Sequence, residues 1–256
     1  MKFNKLLLIV CIILVLGVIG YLCYGYIMKQ NEEVKNPIAT IEVEGYGTMK
    51  VELYTDIAPN TVKNFIALSN SGFYNGLTFH RIVKDFMIQG GDPEGTGTGG
   101  ATLADIDESI EKNSEADVDY TIEGEFIVNG YDNNRLRHEK GVISMARSDY
   151  SYYGKTTEGY NSASSQFFIM TEDTASLNGS YAAFGKVIEG FDVLDKIANV
   201  EIKEEEDETA EASTPVEPPV ITSITVETFG VEYERPKTLE PFDINSWFMQ
   251  QYGIGS

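Results

Sequence analysis

One run of fourteen residues constrains this chain more than any other: Phe79-His80-Arg81-Ile82-Val83-Lys84-Asp85-Phe86-Met87-Ile88-Gln89-Gly90-Gly91-Asp92. It sets an arginine and a glutamine among large apolar side chains and ends on a glycine pair. In extended backbone, Arg81, Val83, Asp85, Met87 and Gln89 project to one side and Ile82, Phe86 and Ile88 to the other. Arg81, Met87 and Gln89 then share a surface. A half-buried strand with a solvated arginine has the same pattern, so the run alone does not decide between a site and a plain strand.

The flanking sequence supplies the frame. Ile41 and Val43 alternate with Thr40, Glu42 and Glu44; Gly45-Tyr46-Gly47 then turns the chain into Met49, Val51 and Leu53, the pattern of a β-hairpin. Pro59 opens a helix in which Val62, Phe65, Ile66 and Ser69 recur at helical spacing, stopped by Gly72. Residues 189–198 form a second helical candidate through Phe191, Leu194 and Ile197 or Ala198, and residues 220–228 alternate as a last strand after Pro218-Pro219. Two acidic insertions read as solvated loops: 101–120, and 201–215 with seven acidic residues against Lys203 alone. Residues 148–160 carry Tyr150, Tyr152, Tyr153 and Tyr160, either as a disordered loop or as rigid amphipathic contact area that selects substrate. The tail 237–256, with Trp247, Phe248 and Tyr252, is too short for a domain and either packs on the body or meets a partner.

Three further runs give the 79–92 segment its meaning: Gly141-Val142-Ile143-Ser144-Met145-Ala146, Ser162-Ala163-Ser164-Ser165-Gln166-Phe167-Phe168-Ile169-Met170, and Leu177-Asn178-Gly179-Ser180-Tyr181-Ala182-Ala183-Phe184-Gly185-Lys186-Val187. In this order they closely resemble the cyclophilin family of peptidyl-prolyl cis/trans isomerases, from about Pro37 to about Pro236. The resemblance implies a mainly β domain over 37–236: a closed eight-stranded antiparallel barrel capped by two α-helices. It implies that Arg81, Gln89 and Phe86 are catalytic. Arg81 would bond the substrate carbonyl and meet the prolyl nitrogen as it pyramidalises, and Gln89 would hold Arg81 and the substrate backbone. Phe86, Met87, Phe168 and Leu177 would enclose the proline ring, Ala146 and Gln166 would line the neighbouring groove, and Tyr181 would add a ring and a hydroxyl. No metal or cofactor is implied. Two positions depart from the best-known eukaryotic pattern: Ser176 stands where those members carry tryptophan and Tyr181 where they carry histidine, so weak inhibition by cyclosporin is expected.

The chemistry asks little. An uncatalysed X-Pro bond relaxes in tens to hundreds of seconds because rotation must break amide resonance. Raising about 0.01 per second to about 10 per second needs only about 4 kcal/mol. A site that fits the twisted amide better than either planar isomer, with donors aimed at the groups that gain electron density, supplies it without proton transfer. His80 and His138, the only histidines, are therefore read as structural. Another class stays open: a membrane-tethered proline-peptide binding module or holdase with little turnover, since binding both isomers equally leaves the rate unchanged.

Residues 6–28 contain no charged side chain, and at about 1.5 Å per residue such a helix matches an apolar layer of about 30 Å. Lys2 and Lys5 precede it in the short segment 1–5, and Glu32 and Glu33 follow within the linker 29–36. The positive-inside bias thus predicts a single-pass transmembrane signal anchor with the isomerase domain outside the cell membrane. A cleaved signal, and a lipid-modified cysteine at Cys23, remain alternatives. Cys11 and Cys23, the only cysteines, both lie in this segment, so the rest of the chain has no thiol for a disulfide, a metal or a nucleophile. Residues 29–256 hold 17 basic against 40 acidic side chains, a net −23, which opposes nucleic-acid binding and adsorption to anionic lipid. Expected partners are proline-containing peptides and unfolded exported proteins, met by a monomer of bacterial type.

Overall fold

In a computed structural model of the protein, residues 10, 13–21, 35–204 and 212–253 are described. Two compact units separate, Met1–Lys35 and Asn36–Ser256. In the first, residues 13–21 are helical and Leu14 and Leu16 are exposed. Among the described residues no helix is long and apolar enough to cross a membrane. The rest of the expected span 6–28, with Cys11 and Cys23, lies outside the described residues.

The second unit is built on one antiparallel sheet. Its strands are β1 (Ile38–Val43), β2 (Gly47–Leu53), β3 (Arg81–Val83), β4 (Met87–Gly90), β5 (Val142–Met145), β6 (Phe167–Met170), β7 (Ala183–Glu189) and β8 (Ile221–Glu227). The order across the sheet is β3-β4-β6-β5-β7-β2-β1-β8. The hairpin read from Thr40 to Leu53 forms as β1 and β2, with Ile41 opposite Met49 and Ala39 opposite Val51, all four buried. The helices are α1 (Pro59–Asn70), α2 (Thr156–Tyr160), α3 (Phe191–Ala198) and α4 (Ile244–Tyr252). α1 turns Val62, Phe65, Ile66 and Leu68 into the core, and α3 turns in Val193, Leu194 and Ile197.

Helix α1 begins at Pro59 without a side-chain cap of its own. The Glu125 carboxylate, buried and far away in sequence, accepts from Asn60 N at 3.0 Å, Thr61 N at 2.7 Å and Thr61 Oγ1 at 2.7 Å, satisfying amides that the helix leaves unpaired. Helix α3 starts later than the expected 189–198, because Ile188 and Glu189 continue β7 and Gly190 breaks between strand and helix at φ +88°. A Cβ at Gly190 would lie 2.8 Å from Met49 Cα, so both the backbone angle and the neighbour require glycine.

The expectation of a closed barrel is corrected: the sheet curls but stays open, because no ladder joins β3 to β8. The seam is bridged by irregular bonds from the chain beside these strands: Gly76 N to Ile221 O at 2.8 Å, Ile221 N to Leu77 O at 2.8 Å, Phe79 N to Pro219 O at 2.9 Å and Ile82 N to Ser213 O at 2.7 Å. The bonds on either side of Thr78 and Val220 make one isolated antiparallel bridge, but β3 is only three residues long and Pro218 and Pro219 lack amide hydrogens, so the pairing does not extend into a ladder.

The expected solvated insertion 101–120 is anchored at both ends. Ala101 and Tyr120 are buried, and Tyr120 Oη donates to Asn64 Oδ1 on α1 at 2.7 Å. Of 201–215, Ile202 bridges Pro215 and packs on the core, while 205–211 lie outside the described residues. The tyrosine-rich stretch 148–160 folds as a short 3-10 helix at Ser151–Tyr153 followed by α2.

Candidate active site

Arg81 and Gln89 meet because the 79–92 run is a hairpin rather than the uninterrupted strand that its alternation suggested. β3 and β4 pair with Arg81 opposite Gln89 and Val83 opposite Met87. Asp85 takes the left-handed conformation, φ +55°, in the turn between them. Arg81 Nη1 donates to Gln89 Oε1 at 3.3 Å and lies 3.7 Å from Met87 Sδ. In a continuous strand Phe86 would face away from Arg81; the turn brings it round to the same cavity.

β4 pairs next with β6, which sets Gln89 opposite Phe168, and β6 pairs with β5, which sets Phe168 opposite Ser144. Phe168 therefore stands beside Gln89 while its neighbour Phe167 points through the sheet into the main core. Across this face lies a cavity of about 220 Å³ lined by Arg81, Phe86, Met87, Gln89, Ala146, Arg147, Phe168, Leu177 and Tyr181. Eight of the nine residues singled out in the sequence line it. The ninth, Gln166, lines the adjoining groove, where its Oε1 accepts from Gln89 Nε2 at 2.8 Å and its Nε2 donates to Gly99 O at 2.8 Å. The cavity is smaller than the roughly 300–1,000 Å³ of drug-sized sites, and its apolar walls suit one small ring.

Arg147 is the lining residue that sequence reasoning missed. Its Nε donates to Ser180 O and its Nη1 to Ser148 O, both at 3.1 Å. Its guanidinium carbon sits 4.6 Å from the Tyr181 ring, 4.9 Å from Tyr160 and 5.6 Å from Phe126. It directly follows Ala146, but its aromatic partners come from three distant segments, so no spacing pattern marks it. Among the described residues, Arg81 and Arg147 are the only charged ones lining the cavity, a local positive field in a chain of net charge −21.

Both histidines stand apart from the cavity lining. His138 Nε2 is 2.9 Å from Ser144 Oγ, and its ring stacks behind Phe168 at 6.1 Å and against the edge of Tyr181 at 6.3 Å. It buttresses the wall from the far side. Burial pushes its pKa down to about 4. Burial also lowers His80, opposed by the charge of Asp92. Both are shifted toward the neutral form and neither lines the cavity, so kcat/KM is expected to show no histidine step near the ordinary imidazole range. A pH-rate profile that breaks near 6.5 would put a histidine into the reaction. Stability behaves differently. Below about pH 6.5 the unfolded chain binds a proton that folded His138 refuses, so stability rises with pH across the window from about 4 to about 6.5 and is lost as pH falls through it, by up to about 3 kcal/mol. Thermal melts at pH 4.5 and 7.5, for the protein and for His138→Gln, check the sign.

A family described as cyclophilin type peptidyl-prolyl cis-trans isomerase/CLD matches residues 38–226. Among curated proteins the chain is similar to peptidyl-prolyl cis-trans isomerase B of Bacillus subtilis, 39% identical over 64% of this chain and 92% of that protein. It is 37% identical to a peptidyl-prolyl cis-trans isomerase of Helicobacter pylori, over 70% of this chain and 91% of that one. Against a peptidyl-prolyl cis-trans isomerase-like 2 of Rhizopus delemar it is 40% identical over 64% of its own length, and it spans only about a quarter of that longer protein. A crystal structure of a Cryptosporidium parvum cyclophilin type isomerase, obtained in the presence of the dipeptide ala-pro, superposes with a TM-score of 0.57 at 31% identity, covering 74% of this chain and 98% of that one.

Proposed function

The chain belongs to the cyclophilin-type peptidyl-prolyl cis-trans isomerase family, its sheet is an isomerase domain, and from that premise we propose how it works and on what. The observation that carries the proposal is the Arg81–Gln89 pair lining one small cavity together with Phe86, Met87, Phe168 and Leu177. The proline ring enters between Phe86, Met87, Phe168 and Leu177, with Tyr181 closing one side. As the C–N bond twists out of conjugation, the prolyl nitrogen becomes a lone-pair acceptor, and the fixed guanidinium of Arg81 meets it more strongly than it meets either planar isomer. Gln89 holds that guanidinium, and Gln166 in turn holds Gln89. No covalent bond forms and no proton moves. The deciding experiment is the cis-to-trans relaxation of a short X-Pro peptide with and without residues 36–256, in the wild type and in Arg81→Ala. A folded wild type that binds the peptide without accelerating it would leave only a binding module.

The substrates in this reading are X-Pro bonds of exported proteins, met outside a bacterial membrane by a monomeric, single-pass anchored enzyme that uses no cofactor. Support comes from the uncharged run 6–28, from Lys2 and Lys5 before it and from the acidic character of all that follows. The full chain is expected to sediment with membranes and to be digested by protease added to intact cells, whereas a chain beginning at Lys29 should not sediment. Equal sedimentation of the two would remove the anchor.

A further inference from the structure

Beside the proline cavity runs a larger groove of about 600 Å³ that shares Gln89, Ala146 and Arg147 with it. Part of its lining comes from the sheet and its loops, including Gly99 and Gln166. The remainder comes from elsewhere: Pro241, Phe242, Ile244 and Asn245 of the C-terminal tail reach the groove and complete a wall. That tail lies beyond residues 38–226, the part of the chain that the family shares.

The wall is held at both ends. Asn60 Nδ2 donates to Lys237 O at 2.9 Å, and Lys237 N donates back to Asn60 Oδ1 at 2.7 Å. Leu239 and Thr121 exchange two backbone bonds, at 2.7 and 3.0 Å. At the other end, Asp243 caps α4 through Ser246 N at 3.0 Å. α4 lies on the tyrosine-rich stretch, with Phe248 edge-on to Tyr153 at 4.9 Å, and Phe242 meets Tyr150 at 5.7 Å. The Lys155 ammonium sits 5.3 Å from the Phe242 ring and 5.7 Å from that of Trp247. A wall fixed before the ligand arrives loses little entropy when it is used.

We propose that residues 239–248 form a substrate-selecting wall, taking a bulky apolar or aromatic side chain that flanks the X-Pro pair. The inference rests on the isomerase reading of the cavity. An extended peptide advances about 3.3 Å per residue, so a chain whose proline fills the cavity leads its neighbours over the shared residues into the groove. The rings of Phe242 and Tyr150, together with Ile244, give that neighbour an apolar contact, and Gln89 and Gln166 occupy the edge where its backbone passes.

The test uses a set of X-Pro peptides in an alanine background, with a single phenylalanine moved from three residues before the proline to two after it. Turnover is read from cis-to-trans relaxation. Binding is read separately from the emission of Trp247, the only tryptophan, which sits in the tail itself. At one position phenylalanine should improve kcat/KM and Kd about tenfold over alanine, the discrimination that a modest apolar contact gives. In Phe242→Ala combined with Ile244→Ala that ratio should fall to within about twofold of unity, whereas Met249→Ala, exposed on α4 outside the groove, keeps it. No preference in the wild type, or a preference that survives in the double variant, overturns the proposal. If peptides bind and are not turned over, the isomerase reading fails while the ratio of Kd values still decides the wall.

Discussion

Arg81→Ala should lower kcat/KM for X-Pro isomerisation by about 10²- to 10³-fold while leaving the domain folded. The size follows from what one preorganised donor is worth when charge develops next to it, about 2.7–4 kcal/mol. Since the whole acceleration to a typical turnover asks for about 4 kcal/mol, one well-placed guanidinium accounts for most of it. Arg81→Lys should recover little. A lysine keeps the charge but not the planar fork, and the Arg81 to Gln89 contact at 3.3 Å fixes the direction in which that fork points. Folding should be nearly unaffected, because Arg81 is only half-buried on a three-residue edge strand, where a substitution costs about 1 kcal/mol or less. Thermal unfolding and relaxation rates measured on the same preparations separate the two effects. A folded Arg81→Ala that turns over peptide at the wild-type rate would remove Arg81 from the mechanism.

Gln89→Ala offers a graded companion. Gln89 touches Arg81 on one side and Gln166 on the other, so its loss frees the guanidinium without removing it. A smaller decrease than that of Arg81→Ala is expected, and it should appear more in kcat than in KM if orientation is what Gln89 provides.

The parts of the molecule governed by short-range periodicity were legible in the sequence. Alternation over Thr40 to Leu53 gave β1 and β2, Pro59 and a 3.6-residue stripe gave α1, and the alternating 220–228 gave β8 to within a residue at either end. The 79–92 run was harder. Its alternation continues in phase through the turn, because cross-strand partners in a hairpin share a face, so Arg81, Val83, Met87 and Gln89 are on one side whether the run is straight or folded. Only Phe86, in the turn, distinguishes the two, and no Asn-Gly or Asp-Gly pair announced that turn. Closure of the barrel was misread for a different reason: it depends on which carbonyls reach across the β3–β8 seam, a long-range matter that Pro218-Pro219 influences but does not settle. Arg147 and the tail wall were illegible because their meaning resides in partners such as Phe126, Tyr160 and Tyr150, which only the fold gathers.

The adjacent phenylalanines of β6 make the opposite experiment to Arg81, and the larger effect on stability is expected at Phe167. Its ring is fully buried, edge-on to Phe65 at 5.6 Å, Tyr74 at 5.5 Å and Phe79 at 6.1 Å, which ties α1 and the loops after it to the sheet. Phe167→Ala removes that ring from a site where the neighbours cannot collapse, since Gly91 already packs so closely that a Cβ there would meet Ser165 O at 2.5 Å. A cost of about 3–5 kcal/mol is the usual penalty for such a cavity, and it is a large share of the roughly 5–15 kcal/mol that holds a domain together. Phe168→Ala, one residue along, faces the proline cavity instead, where the ring meets Tyr181 at 5.5 Å and His138 at 6.1 Å. It should lose less stability and more affinity, raising KM for X-Pro peptides. Urea unfolding midpoints at unchanged slope, set beside KM for each variant, read both quantities. If Phe168→Ala proved the more unfolded of the two while Phe167→Ala weakened substrate binding, the assignment of the two faces of β6 to pocket and core would be reversed, and with it the route by which this sheet presents its site.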